Sequence, residues 1–158
     1  MAPSGEAIVT INSRQWLCSI ASTYTEIAQG LSNIPSMLPW HGMLFILGTD
    51  YSYIPIDMSR MMFPLDIIFI SSSGEVVGVL ENVQPKQSDV SYRATTTPCA
   101  RYFMEVNAGE ASGIQVGDQV QIDIIGRLEP QMWDTAVQLI LASIIVIPLV
   151  GMIAKGLR

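Results

Sequence analysis

Residues 64–70, PLDIIFI, decide how the chain is read. On the two-residue period of a strand, Asp66, Ile68 and Ile70 fall on one face and Leu65, Ile67 and Phe69 on the other. Apart from Asp66 both faces are apolar, the pattern of a central strand covered on both sides. The turn SSSGE (71–75) follows, and then the apolar run EVVGVLE (75–81), so the two runs are predicted to form a hairpin. Asp66 stands at the strand entrance just after Pro64, where backbone donors are often left unpaired. A buried carboxylate stays ionised only if it accepts hydrogen bonds or pairs with a cation. Arg60 is the nearest cation along the chain and the expected partner.

Outward from this hairpin, short runs bounded by Gly, Pro, Ser and Asn dominate, the mark of a strand-rich domain. AIVTIN (7–12), WLCSIA (16–21), GMLFIL (42–47), SYIPIDM (52–58), ARYFMEVN (100–107) and QVQIDII (119–125) read as strands. STYTEIAQGL (22–31) reads as a short helix, with Ser22 or Thr23 as N-cap, Glu26 in the first turn and Gly30 near the C-terminus. PKQSDVSYRATTTP (85–98) is a polar loop, and GEASGIQVGD (109–118) is a turn-rich connector with room for one helical turn.

Hydrophobic residues make up 49% of the chain and charged residues 14%, well below the roughly 25% charged of a soluble protein. The excess lies between Asp134 and Lys155, where 20 residues, Thr135–Ala154, carry no formal charge. About 20 apolar residues at 1.5 Å rise cross a hydrocarbon core of about 30 Å, so this stretch is expected to be a single membrane-spanning helix. Thr135, Leu139, Ile144, Pro148 and Ala154 mark its course, with Trp133 before it and Lys155 and Arg158 after it as interfacial anchors. Its competing reading is a helix buried inside an assembly, since Leu, Ile and Val run all around it. Gln138, Ser143 and Pro148 do not line one helical face, so no helix-pairing seam is evident. The positive tail places the preceding domain outside the cytoplasm. The start MAPSGEAIVTINSRQW lacks a basic region and apolar core, which favours the opposite orientation, so the side stays open.

Up to Asp134 there are six Lys or Arg against all 14 Asp and Glu, a balance of −8 that repels phosphate backbones. Nucleic acid is therefore not an expected partner. Cys18 and Cys99 lack metal-ligand spacing and read as small buried hydrophobes rather than a disulfide.

Three ordered blocks carry a family resemblance: AQGLSNIPSMLPWHGMLFIL (28–47), MSRMMFPLDIIFISSSGEVVGV (58–79) and YRATTTPCARYFMEVNAGEASGIQVGDQVQI (92–122). In order and spacing they resemble the signature of the bacterial and archaeal family called domain of unknown function 192, over about Trp16 to Ile125. The resemblance implies a compact α+β, β-rich domain with a small barrel-like sheet and one or two short helices, and no established enzyme activity. Residues 1–128 would form that domain, and residues 129–158 the spanning helix and short basic tail. Where the family carries Asn and Thr before the proline, this chain has Arg60 and Met61. Where members commonly carry an N-terminal secretion signal, it has a C-terminal apolar stretch.

Two constellations could carry chemistry. Met58, Met61 and Met62 with His41 have the soft donors that copper(I) prefers. In an extended strand, however, Met58 and Met62 would share a face and Met61 would point away, so core filling is the better account and no metal or cofactor is expected. Asp66 and Glu105 could act as acid and base if one cleft held both. No nucleophile elbow, phosphate loop or Cys/His couple accompanies them, and Glu105 precedes the turn NAG (107–109), where carboxylates also cap backbone donors. Asp66, Arg60, Glu105 and Asn107 are thus candidates for a ligand-binding or structural polar site. The expected function is a non-enzymatic binding or structural module, tethered to a bilayer and working with protein partners in a membrane complex or particle. A virion membrane protein of a phage or archaeal virus, and an enzyme using Asp66 and Glu105, are the alternatives.

Overall fold

A computed structural model describes residues 5–94 and 97–125 of the chain. The expected membrane span, with Thr135, Leu139, Ile144, Pro148 and Ala154, lies outside the described residues. Among the described residues no helix is long and apolar enough to cross a membrane.

In chain order the elements are β1 (Gly5–Ile11), β2 (Arg14–Ala21), α1 (Tyr24–Gln29), β3 (His41–Tyr51), β4 (Tyr53–Pro55), β5 (Leu65–Ser71), β6 (Val76–Val83), β7 (Ser91–Arg93), β8 (Ala100–Asn107) and β9 (Val120–Ile124). Seven strands make one sheet in the order β6-β5-β8-β3-β2-β1-β9, and β4 pairs with β7 in a second, two-stranded sheet. All pairings are antiparallel except β2 with β3. A parallel neighbour needs a crossover, and residues 22–40 supply it with α1 on board. The fold is thus β-rich with a mostly sheet core and, among the described residues, one six-residue helix.

Local chemistry explains the connections. β1 and β2 join through Asn12 and Ser13, both at positive φ (49° and 67°), the geometry of a two-residue turn whose twist matches the flanking strands. The Thr23 hydroxyl accepts from the Glu26 N–H at 3.3 Å while the Glu26 carboxylate accepts from the Thr23 N–H at 2.9 Å, a capping box that starts α1. Gly30 ends it at φ 46°.

Every residue of β5 is buried, so it is covered on both faces as its pattern requires. On the inner face, Ile68 and Ile70 pack with β1 and β2 residues such as Val9, Ile11, Trp16 and Ile20. β1 and β5 are separated by three strands, so these residues can meet only because the sheet curls over itself. On the outer face, Leu65, Ile67 and Phe69 pack with Phe45, Phe103, Met58, Met61 and Tyr92 beneath the small sheet and the 57–63 loop. Phe45 stacks on Phe103 at 4.2 Å, and Phe69 on Tyr92 at 4.4 Å. Gly78 makes room for the second pair, because a Cβ there would lie 2.8 Å from the Tyr92 ring.

The expected barrel is corrected to an open sheet. The edge strands β6 and β9 meet only at one end, through a single bridge between Glu75 and Gln119 and bonds such as Val120 N–H to Gly74 C=O at 2.9 Å. Beyond it β6 pairs with β5 and β9 with β1, and no ladder joins them to close a barrel.

Two further expectations change. Residues 57–63 are not extended: Asp57 accepts the Ser59 N–H at 2.9 Å and Met61 N–H donates to Met58 C=O at 3.2 Å, which turns the chain. Met58 and Met61 therefore both enter the outer core, and Met62 is the exposed one. The polar loop 85–98 contributes β7, which pairs with β4.

Candidate functional site

The four sequence candidates divide between the two faces of the sheet. Asp66 pairs in register with Val106, and Ile67 with Glu105. Residues opposite one another in a ladder share a face, so Asp66 faces the inner core and Glu105 the outer. Among the described residues the two carboxylates therefore lie on opposite sides of the sheet.

Asp66 is 1% exposed and fully engaged. Its Oδ1 accepts the Asn82 N–H at 2.8 Å, and its Oδ2 accepts the Gly109 and Ala111 N–H groups, each at 2.8 Å. The Asn82 donor exists because the β5–β6 register shifts between Leu65 and Ile67, a bulge that takes Asn82 off the ladder at φ 53°. The other two donors belong to the turn after β8. Asp66 therefore pins a bulge and a turn onto the strand entrance. Arg60 is not its partner: its guanidinium Nη2 donates to Ala28 C=O at 3.1 Å, on the outer face beside α1.

Asn107 and the 107–112 turn form a second polar cluster around Glu110, which the sequence reading missed. The Glu110 carboxylate accepts from Trp16 Nε1 and from Trp40 N–H, both at 2.9 Å, and from Asn107 Nδ2 at 3.3 Å. Asn107 Nδ2 also donates to Leu38 C=O at 3.1 Å. Arg14 Nη1 donates to the Glu110 and Ser112 carbonyls at 3.0 Å. Trp16 and Trp40 lie 94 and 70 residues from Glu110, so no local spacing announces this hub. A charged residue directly after NAG was its only trace. Cys18 is buried nearby, and burial followed by the Glu110 charge pushes its thiol up to about 12. Both Cys18 and Cys99 are free thiols.

Glu105 is different. It sits on β8 between Met43 of β3 and Ile67 of β5, 7% exposed, and no hydrogen bond or ion pair reaches its carboxylate among the described residues. Burial alone pushes its carboxyl up to about 8. It opens into a cleft of about 640 Å³ between α1, the start of the small sheet and the 56–61 loop. Phe45 and Phe103 give the cleft its aromatic floor, and Ile27, Leu47, Ile56 and Met61 its apolar walls. Gly30 lets α1 end close against that floor, since a Cβ there would meet the Phe45 ring at 3.4 Å. Tyr24, Tyr51 and Tyr53 stand at the mouth, each exposed, with Asp57 and Arg60 beside them. Its volume lies in the range of small-molecule pockets, roughly 300–1,000 Å³, with apolar walls and one carboxylate that no protein group in the described residues engages.

The copper alternative finds no support in the geometry: Met62 points to solvent, Met58 and Met61 are core, and His41 Nδ1 lies 3.0 Å from Pro39 C=O. Among the described residues no group of three His, Cys, Asp or Glu is placed to hold a metal.

Two crystal structures share this fold. A Sinorhizobium meliloti protein described as a candidate transcription regulator is 28% identical, the match covering 74% of this chain and 92% of that one, with a TM-score of 0.64. A protein of unknown function from Novosphingobium aromaticivorans is 26% identical, covering 73% of this chain and 83% of that one, with a TM-score of 0.62. No curated protein matches the chain. Residues 7–122, from the first strand to the last, match the family described as Uncharacterized ACR, and on that match the chain belongs to the DUF192 family.

Proposed function

We propose that this chain is a non-enzymatic, membrane-tethered binding module whose β domain receives a small ligand with an apolar body in the outer-face cleft. One observation carries the binding part: a cleft of about 640 Å³ with an aromatic floor is lined by a carboxylate, Glu105, that has no protein hydrogen-bond partner among the described residues. The separation of Asp66 from Glu105 by the sheet supports a role without catalysis. The uncharged stretch Thr135–Ala154 supports the tether and a place in a membrane complex. The balance of −8 up to Asp134 opposes binding to nucleic acid.

Ligand-observed NMR with the full chain and a set of aromatic fragments tests the cleft. Fragments should compete for one site, and Leu47→Trp, which narrows the cleft, should abolish their binding. Binding that ignores Leu47→Trp refutes the cleft as the site. Sedimentation of the full chain with membranes through a carbonate wash tests the tether, and release by carbonate refutes it.

A further inference from the structure

The cleft has a chemical bias that narrows its ligand, and the argument rests on the reading of the cleft as a binding site. Glu105 is flanked in the sheet by Met43 and Ile67, neither of which can donate to it. The titratable and charged groups that share the cleft lining with it are Tyr24 from α1, Tyr51 from β3, Tyr53 from β4, and Asp57 and Arg60 from the loop. Arg60 does not close on Glu105, because its guanidinium is held on Ala28 C=O, and Asp57 stands beside it as a local counter-charge. With Glu105 ionised, the charged lining is two carboxylates against one guanidinium, on a domain that is itself acidic. An anion could bind only with Glu105 protonated, where one carboxylate and one guanidinium line the cleft and give it no net attraction, and a neutral apolar molecule would give the carboxyl no hydrogen-bond partner.

We infer that the cleft binds a small organic cation, an ammonium on an apolar body, with the ammonium against the Glu105 carboxylate and the body on the Phe45–Phe103 stack. The ammonium supplies the donors that the sheet withholds, and its charge offsets the cost of holding the carboxylate out of water. The empty site holds its carboxyl proton at neutral pH, since burial lifts Glu105 to about 8. Cation binding ionises Glu105 and passes that proton to the buffer.

The test uses the full chain and three probes that share one body: 2-phenylethylammonium, 3-phenylpropan-1-ol and 3-phenylpropanoate. Titration calorimetry in two buffers of different ionisation enthalpy should show saturable binding of 2-phenylethylammonium with release of nearly one proton at pH 7. The propanoate should bind at least about tenfold more weakly. Affinity for the ammonium should rise roughly tenfold from pH 6 to pH 7 and level off above about 8, while the amine itself stays protonated throughout. Glu105→Gln, which mimics the protonated carboxyl in size and shape, should abolish both the proton release and the preference for the cation. The proton release and the three-probe ranking on the unaltered chain stand even if that variant misfolds. Equal or tighter binding of the propanoate, or no proton release on cation binding, overturns the inference. If the alcohol binds at the Leu47-sensitive site as tightly as the ammonium, the cleft stands and its cation preference falls. If no probe binds and no fragment does, both readings fall together.

Discussion

Asp66 and Glu105 occupy adjacent strands one register step apart, yet the sheet lies between their side chains: Asp66 pairs with Val106 on the inner face, and Glu105 with Ile67 on the outer. The two carboxylates also have opposite states. Asp66 accepts three backbone N–H groups at 2.8 Å, and Glu105 accepts none among the described residues. One is satisfied by the fold and the other is left for something else.

Asp66→Ala should destabilise the domain by about 3 kcal/mol or more, because three buried donors lose their acceptor at roughly 1–3 kcal/mol each. That is a fall in melting temperature on the order of 10 °C, read by circular dichroism. Asp66→Asn keeps one acceptor oxygen and should fall between Ala and wild type. A rise in melting temperature in both variants is incompatible with a structural role.

Glu105 should make stability fall as pH rises. Its carboxyl sits at about 8 in the folded chain, above its value in an unfolded one, so between about 4.5 and 8 the folded state binds more protons than the unfolded state. The destabilisation is absent below that window and complete above it. Glu105→Gln, which cannot ionise, should match wild type near pH 4 and exceed it by on the order of 3 kcal/mol at pH 7. Denaturant melts at the two pH values measure this, and a variant effect independent of pH refutes it.

Cys18 should be inert in the native chain. Its thiol is buried and pushed up to about 12, so almost no thiolate forms at neutral pH. Cys99 is only partly buried. Native thiol titration with a disulfide reagent should therefore count one fast thiol per chain, and titration in denaturant should count two. Rapid modification of both under native conditions contradicts the burial.

Gly42→Ala should be poorly tolerated although it adds one methyl group. A Cβ at Gly42 would stand 2.8 Å from the Glu105 carbonyl oxygen and 3.1 Å from the Cys18 sulfur, in a strand fixed between β2 and β8. Backbone on one side and core on the other leave nothing free to shift, so a loss of roughly 1–3 kcal/mol is expected from overpacking. A melting temperature equal to wild type would show that β3 relaxes at this point.

The sequence by itself determined what depends on neighbours a few residues apart. The two apolar faces of Leu65–Ser71, the hairpin through Gly74 and the helix between Thr23 and Gly30 all follow from periodicity, turn chemistry and capping, which act within one turn or one pleat. The three ordered blocks add the family, which needs no geometry to read. Only the tertiary structure decided what faces what. Asp66 takes donors 16, 43 and 45 residues away instead of the nearby Arg60, and Glu110 gathers Trp16 and Trp40 from far along the chain. The physical reason is register. Strand alternation assigns Asp66 and Glu105 each to a face of its own strand, but a slip of one residue between β5 and β8 would put them on the same face. The observed pairing, which runs without a shift from Leu65 opposite Asn107 to Ile70 opposite Tyr102, puts them on opposite ones.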